Sequence, residues 1–319
     1  MKILVIGGLG YIGSHVVTEL LAAGHKAAAY DDLSTGQAIN AQPGCEVIKA
    51  DLLDYGKLLD TLSRGKFDAV IHLAAKKAVG ESMENPDLYA KNNIEGSLGL
   101  LSAMAKGGVK KLIFSSSAAV YGIPKDDKPL TEESPVEPVN FYGFTKLEME
   151  RSMAWYDKLK DIKFVSLRYF NAVGYDAAGR VKGLENNPQN LLPIIMEVAS
   201  GKREKLQVFG GDWPTPDGTC LRDYIHCTDL ALAHVKALEL KDSAILNLGT
   251  GKGISVLEMI RAAGEITGRK IPYEIVGKRP GDPAALVASS AKAEKMMGWR
   301  AAHSSLENII ETTWARYSS

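Results

Sequence analysis

Residues 2–13 read Lys-Ile-Leu-Val-Ile-Gly-Gly-Leu-Gly-Tyr-Ile-Gly, an apolar run that leads into a glycine-rich loop. The run at 2–6 is typical of a strand buried on both faces. Residues 12–23 follow with the apolar spacing of a helix and stop before Gly24. A loop between a strand and a helix binds dinucleotides in many proteins, because its glycines let backbone N–H groups approach a pyrophosphate. A glycine turn without a ligand is the alternative, and the flanking strand and helix favour the dinucleotide.

Strand and helix patterns alternate along the first half of the chain. Further strands are predicted at 26–30, 46–50, 68–73, 111–115 and 164–169, and helices at 54–64, 87–106 and 141–159. This alternation predicts an α/β fold with a Rossmann-type, doubly wound parallel sheet that helices cover on both faces.

The character of the sequence changes after about residue 172. Residues 176–189 and 210–218 are rich in Gly, Asn, Asp and Pro and are predicted to be loops. A helix at 229–240 and a strand at 245–248 follow, and we expect them to return to the first sheet. The prediction is a cofactor-binding domain at 1–172, rejoined by about 221–249, and a smaller C-terminal α/β substrate domain at 173–319.

Asp31 stands at the end of the second predicted strand. A carboxylate there accepts hydrogen bonds from adenosine ribose hydroxyls and repels a 2′-phosphate. Residues 32–36 contain no lysine or arginine, so the sequence favours NAD over NADP. The alternative is that Asp31 and Asp32 only open a turn. Asp51 and Leu52, after the third strand, are expected beside the adenine.

Tyr142 and Lys146 are four residues apart in a predicted helix, and side chains with this spacing share one face. An ammonium beside a phenol favours the phenolate, so the tyrosine pKa can fall from about 10 toward neutrality. Such a phenol can serve as a general base toward a sugar or alcohol hydroxyl. The alternative is a lysine that merely lies along a half-buried tyrosine. The spacing Gly7-x-x-Gly10-x-x-Gly13 and the Tyr-x-x-x-Lys pair together match short-chain dehydrogenases/reductases.

Composition limits the classes of partner. The 319 residues carry no net charge, which argues against nucleic acid and membrane surfaces as partners. Cys45, Cys220 and Cys227 fit no zinc-binding spacing, so we expect no metal and a reducing compartment. The first strand begins at Lys2 and no apolar run reaches membrane length, so we expect no signal peptide and a cytoplasmic protein.

Motifs along nearly the whole chain resemble those of UDP-galactose 4-epimerases, in the extended branch of the short-chain dehydrogenase/reductase superfamily. The motifs are GGLGYIGSH at 7–15, HLAAKKAVGES at 72–82, Asn92-Asn93, FSSSAAVYG at 114–122, YGFTK at 142–146, RYFN at 168–171, DGTCLRDYIH at 217–226, NLGTG at 247–251 and RPGD at 279–282.

The resemblance implies a mechanism and a set of site residues. Tyr142 would take the O4 proton of a UDP-hexose while a hydride passes from C4 to NAD, and the transient 4-keto sugar would turn before the hydride returns. Ser117 would bond O4 or the tyrosine, and Lys146 would bind the nicotinamide ribose. The implied cofactor contacts are Gly7, Gly10, Tyr11, Ile12, Gly13, Asp31, Asp32, Asp51, Leu52, Leu73, Ala74, Ala75, Lys77, Asn92, Tyr142, Lys146 and Tyr169.

The implied substrate site holds uridine diphosphate firmly and the sugar loosely. Arg222 and Arg279 would bind the diphosphate, because guanidinium groups match phosphate oxygens. The other implied contacts are Ser117 and Tyr142 at the sugar, Asn171 and Asn190 at phosphate or sugar oxygens, Leu191, Gln207 and Phe209 at the uracil, and Asp282 at the ribose. Leu286 occupies a position that tunes sugar size in the family. Leucine is intermediate there, so acceptance of N-acetylhexosamines stays open.

Several alternatives remain. A 4,6-dehydratase usually carries an Asp-Glu pair at the positions where this chain has Ala118-Ala119, so the sequence argues against dehydration. A uronate epimerase or decarboxylase needs extra cations, and a non-catalytic NAD-binding regulator would not need Ser117, Tyr142 and Lys146 together. The resemblance also implies a homodimer in which helices 87–106 and 141–159 form a four-helix bundle with their copies, although Met149, Met153 and Leu159 could equally be core residues.

Overall fold

A computed structural model describes residues 1–126, 128–185, 188–279 and 281–318 of the chain. Within these ranges the strands are β1 Lys2–Ile6, β2 Lys26–Asp31, β3 Glu46–Lys49, β4 Ala69–His72, β5 Lys111–Ser117, β6 Lys163–Tyr169, β7 Asn171–Val173, β8 Leu206–Phe209, β9 Leu221–Arg222, β10 Tyr224–His226, β11 Ala244–Leu248, β12 Ile254–Ser255, β13 Tyr273–Val276 and β14 Ala285–Leu286. The α-helices are α1 Tyr11–Ala22, α2 Tyr55–Gly65, α3 Val79–Glu84, α4 Pro86–Tyr89, α5 Gly96–Gly107, α6 Phe141–Lys160, α7 Leu191–Ala199, α8 Cys227–Ala237, α9 Val256–Thr267, α10 Ala291–Met297 and α11 Leu306–Tyr317. Short 3-10 helices lie at Ala38–Asn40 and Ala118–Val120.

The central sheet has the strand order β11-β6-β5-β4-β1-β2-β3, and all neighbouring strands are parallel. The chain runs outward from β1 to β3 and then returns to β4 on the other side of β1. This reversal creates a crevice at the carboxyl ends of the strands, where doubly wound sheets bind ligands. The predicted Rossmann-type fold is therefore confirmed, and β11 adds a seventh strand beside β6.

Each face of the sheet has its own apolar core, because strand side chains alternate between faces. Ile3 and Val5 of β1 point to the face covered by α1 and α8, whereas Leu4 and Ile6 point to the face covered by α2, α5 and α6. Met149 and Met153 of α6 belong to the second core, as their burial shows. Leu159 is exposed instead.

Residues after β6 build a second, smaller core. The helices α7, α9 and α11 pack around Leu192, Met196, Met259 and Ile309, against the parallel pair β8 and β13. In the three-stranded sheet β12-β9-β14, Arg222 of β9 is the register partner of Leu286. None of the helices in the described ranges is both long and apolar enough to cross a membrane.

The predicted helix at 87–106 is interrupted. Residues Ala90–Glu95 between α4 and α5 form a π-helical turn, a feature often found at functional sites. Within this turn the buried Asn93 bonds both backbone groups of Lys76, at 2.8 and 2.9 Å, and the hydroxyl of Thr145 at 3.1 Å. The turn thus links the loop after β4 to helix α6, a connection that the sequence pattern does not reveal.

Candidate active site

The glycine loop between β1 and α1 leaves no room for side chains. Gly7 has a φ of +81°, and a Cβ there would lie 2.8 Å from the nitrogen of Ala74. A Cβ on Gly13 would lie 2.0 Å from the carbonyl oxygen of Gly7. Helix α1 starts after Gly10 with no side-chain cap, so its first N–H groups remain available for an anion. A cradle of bare backbone at a helix N-terminus fits the pyrophosphate of NAD.

Asp31 and Asp32 differ in what they bind. The buried carboxylate of Asp31 accepts the backbone N–H groups of Leu9 and Leu33, both at 2.9 Å, and burial raises its pKa. The exposed Asp32 accepts the N–H and hydroxyl of Ser34, at 2.8 and 2.7 Å. Both carboxylates therefore accept the N–H two residues further on, which is the turn contact of the alternative, and Asp31 also holds the glycine loop through Leu9. Their contacts with the adenosine ribose stay predictions.

A segment at residues 174–185 closes against α1 and the loop after β2. Four of its contacts join residues that are far apart in the chain: Tyr11 OH to Gly174 O at 2.6 Å, Asp176 N to His15 Nε2 at 3.0 Å, Arg180 Nη2 to Glu19 Oε1 at 2.9 Å, and Gly183 N to Asn40 Oδ1 at 2.7 Å. Lys77, a predicted cofactor contact, forms an ion pair with Glu185 of this segment. The segment therefore lies along helix α1, which begins at the glycine cradle.

The predicted catalytic residues meet at the carboxyl end of β5. The hydroxyl of Ser117 lies close enough to Tyr142 to lower the pKa of its phenol. The buried ammonium of Lys146 donates to the carbonyl of Ser115 at 2.7 Å and lies 5.8 Å from the centroid of the Tyr142 ring. Ser115 also bonds the hydroxyl of Tyr169 on β6. Phenol, ammonium and two serine hydroxyls therefore converge on one edge of the sheet.

Burial works against charge on both members of the pair. It raises the pKa of Tyr142 to about 12, and the nearby Ser117 hydroxyl opposes this rise. It lowers the pKa of Lys146 to about 7, opposed by the nearby carboxylate of Glu150. The sequence predicts a tyrosine pKa near neutrality, and the structure gives a raised pKa because desolvation of the buried phenol dominates.

The other predicted cofactor contacts are not all gathered at this edge. Leu73 and Ala74, after β4, both donate their N–H to the carbonyl of Ile6 and so bring that loop against the cradle. Asp51 accepts the N–H of Leu53 at 2.9 Å. The amide of Asn92 instead bonds the carbonyl of Leu88 at 2.8 Å, one turn back in its own helix. Asn93, which we had not singled out, is the asparagine that faces inward.

Arginines and an aspartate gather on the C-terminal side. Arg222 Nη2 lies 3.6 Å from Asp282 Oδ1, and Arg222 Nη1 donates to the carbonyl of Pro283 at 2.9 Å. The guanidinium of Arg279 stacks 3.6 Å above the ring centroid of Phe209. A guanidinium stacked on an aromatic ring and a second one paired with an aspartate suit a nucleoside diphosphate, because the ring can frame a base and the guanidinium groups can bind phosphate. Pro280, within the motif at 279–282, lies outside the described residues.

The remaining predicted substrate contacts are less tightly gathered. The side-chain amide of Gln207 bonds Glu274 at 3.3 Å, and that of Asn171 bonds the carbonyl of Asp223 at 3.2 Å. Asn190 and Leu191 are the cap and first residue of α7, and Asn190 makes no side-chain cap bond. Leu286 packs beside the apolar cluster at Val120, Tyr121, Leu130 and Leu147.

The fold and this edge define a class of protein. A glycine cradle that fits NAD, together with a paired tyrosine and lysine, is typical of enzymes that act on a hydroxyl-bearing carbon. The sequence model of the NAD dependent epimerase/dehydratase family matches residues 3–249, and the chain belongs to that family.

Individual relatives are more specific. The chain is 44% identical over 319 residues to the UDP-glucose 4-epimerase of Lacticaseibacillus casei, covering 98% of this chain and 96% of that protein. Its structure matches that of the Brucella ovis UDP-glucose 4-epimerase in complex with NAD, with a TM-score of 0.96, 40% identity and coverage of 99% and 98% of the two chains. The Bifidobacterium longum UDP-glucose 4-epimerase in complex with NAD+ and UDP gives a TM-score of 0.93 at 39% identity, covering 100% and 98%.

Proposed function

We propose that this chain is an NAD-dependent epimerase that inverts C4 of UDP-hexoses, interconverting UDP-galactose and UDP-glucose through a transient 4-keto sugar. The observation that carries the proposal is the buried Lys146 ammonium, which lies 5.8 Å from the centroid of the Tyr142 ring and donates to Ser115 at the carboxyl end of β5. NAD, when bound, supplies reversible acceptance of the C4 hydride.

The side chains of this edge move the proton. Tyr142 takes the proton of O4 as the hydride leaves C4, and it returns that proton when the hydride comes back to the opposite face. Ser117 orients the phenol and the sugar oxygen. Lys146 stabilises the phenolate as it forms, because the ammonium lies on the same helix face and is shielded from water.

The C-terminal side anchors the nucleotide. Arg222 and Arg279 bind the diphosphate, Asp282 accepts from the ribose, and Phe209 frames the uracil. Since these contacts hold the uridine diphosphate and leave the hexose free, the keto sugar can turn between the two half-reactions. We assign NAD binding to residues 1–172 with the returning segment at about 221–249, and UDP-sugar binding to residues 173–319.

A homodimer through α5 and α6 is part of the proposal. On α6, Phe144, Trp155 and Leu159 are exposed large apolar side chains spaced so that they share one face, and Leu98 is exposed on α5. A second copy of the same two helices would cover these side chains as a four-helix bundle. We expect the protein in the cytoplasm, in keeping with three cysteines that are free of disulfides.

The decisive experiment supplies UDP-galactose to the purified protein without added NAD. We expect UDP-glucose to accumulate to equilibrium with no net NADH, and Tyr142→Phe to reduce turnover by about 10² or more while UDP affinity is retained. Loss of water would instead indicate a dehydratase, turnover confined to UDP-uronates would indicate a uronate enzyme, and NAD binding without turnover would indicate a regulator.

A further inference from the structure

Glu150 is a buried carboxylate that the proposed mechanism does not use. It lies on α6 one turn after Lys146, and only 3% of its surface is exposed. Its Oε1 accepts the hydroxyls of Ser116 and Ser166 at 2.7 and 2.8 Å, and its Oε2 accepts Arg168 Nη2 at 2.5 Å. Glu150 therefore joins α6 to both β5 and β6.

Arg168 extends this network across the sheet. Its Nη1 donates to Tyr121 OH at 3.0 Å, and that hydroxyl donates to Asn247 Oδ1 at 2.6 Å. Ser116 is the register partner of Arg168, which is in turn the register partner of Asn247. Three adjacent strands thus present a row of polar side chains, and Glu150 binds that row from above.

Helix packing alone does not account for a buried ion pair here. Two charges taken out of water carry a desolvation penalty, and apolar residues of similar volume often give equal or greater stability. Met149 and Met153 already pack α6 against the sheet. Apolar contacts have no preferred direction, so they allow a helix to slide and rotate. A guanidinium bound by both oxygens of a carboxylate fixes the position and the rotation of the helix.

Rotation of α6 matters to the chemistry. Tyr142, Lys146 and Glu150 recur every four residues along one face. Lys146 donates to the Ser115 carbonyl, Glu150 accepts the Ser116 hydroxyl, and Ser117 lies near enough to Tyr142 to lower its pKa. For side chains about 6 Å from the helix axis, a rotation of roughly 20° displaces a group by about 2 Å. A displacement of that size breaks a hydrogen bond.

We propose that Glu150 and Arg168 are positioning residues of the epimerase reaction, which fix α6 in the rotation that sets Tyr142 against Ser117 and Lys146 against Ser115. The proposal rests on the proposed function, and it gives a role to the arginine of the motif at 168–171. Neither residue needs to touch the sugar or the cofactor for this role.

Glu150 also influences the charge of Lys146. The groups facing this ammonium are the Ser115 carbonyl and Phe114 ring of β5, Tyr142 of its own helix, and the buried His72 of β4. Among the residues that shift the pKa of Lys146, Glu150 is the carboxylate that raises it against burial. Removing Glu150 therefore moves the loss of the lysine proton to lower pH.

The experiment compares two double variants, each of which replaces both members of one ion pair by uncharged residues. Glu150→Leu with Arg168→Met removes the buried pair and leaves no unpaired charge, whereas either single change would strand one. Glu197→Leu with Arg203→Met removes an ion pair of 2.8 Å at the surface and is the matched control. For the first variant we expect a wild-type unfolding midpoint, NAD content and UDP affinity, a kcat reduced at least tenfold, and an alkaline limb of the pH profile displaced to lower pH.

A second variant covers the case in which the double variant does not fold. Should the double variant fail to fold, Glu150→Asp keeps the charge but withdraws the carboxylate by one methylene, and it must lower kcat with KM unchanged. A wild-type kcat and pH profile in either folded variant overturns the positioning role. Absence of epimerase turnover in the unmodified protein would overturn the proposed function instead, so the two failures are distinguishable.

Discussion

Replacing Lys146 by methionine removes the buried ammonium and keeps most of the unbranched side chain. The Lys146 ammonium lies 5.8 Å from the centroid of the Tyr142 ring. If this centroid distance is taken as the separation of the ammonium and the phenolate charge, the two interact by about 3 kcal/mol at an effective dielectric constant of about 20. Such an energy corresponds to about two pKa units in the phenol. Without the ammonium, the pKa of the Tyr142 phenol should be about two units higher. Turnover at pH 7 should therefore fall by about 100-fold, because about 100-fold less of the tyrosine is present as phenolate.

The assay is kcat for UDP-galactose conversion between pH 6 and 10, with UDP affinity as the control for folding and binding. The pKa of Lys146 is lowered to about 7 by burial, so the wild-type advantage fades as the lysine loses its proton. The difference between wild type and Lys146→Met should consequently narrow toward high pH. A loss that stays constant from pH 7 to 10, or turnover within threefold of wild type at pH 7, would refute this electrostatic reasoning.

Four further expectations follow from named contacts. Asp31→Ala should accelerate loss of NAD during gel filtration, followed by absorbance, because its carboxylate also holds the N–H of Leu9 in the cradle; undiminished retention would move the ribose contact elsewhere. Glu185→Gln breaks the ion pair with Lys77 and should increase the NAD dissociation rate and trypsin cleavage within residues 174–185, and a variant unchanged in both would remove any role of that segment in retaining NAD. Leu286→Tyr should reduce activity on UDP-N-acetylgalactosamine more than on UDP-galactose, and equal reduction would contradict a role in sugar size. Stability should fall from pH 6.5 toward pH 4, by up to about 2 kcal/mol at pH 5 for each histidine whose pKa is lower folded than unfolded, because the unfolded chain then binds more protons, and a denaturation midpoint that stays flat over this range would contradict it. Burial lowers the pKa of these histidines, to about 4 for His15 and His234 and to about 3 for His72 and His226.

Local patterns were sufficient for the framework of the site. The strands β1, β2, β5 and β6 lie within two residues of their predicted ends, because apolar runs and turn residues are properties of neighbouring positions. The glycine loop could be assigned for the same reason. Tyr142 and Lys146 share a helix face by spacing alone, so their proximity needed no knowledge of the rest of the chain.

Electrostatics at the site was not available from spacing. The pair of Tyr142 and Lys146 suggested a lowered phenol pKa, and the folded protein gives a raised one because both groups are desolvated. Burial depends on which elements cover the helix, and no local pattern states this. The inward turn of Asn93 instead of Asn92 has a similar origin, since the π-helical turn shifts the facing of the residues within it.

The sequence by itself determined the alternation of strands and helices, the glycine loop between β1 and α1, and the shared helix face of the proposed proton-transfer pair, since each depends on residues a few positions apart. Tertiary structure alone decided how α6 is fixed on the sheet and how residues 174–185 close on α1. Asp176 and His15 are 161 residues apart in the chain, and Glu150 reaches Ser116 across 34. Contacts of that range exist only after the sheet has assembled, because side-chain periodicity specifies a face but not the partner that covers it.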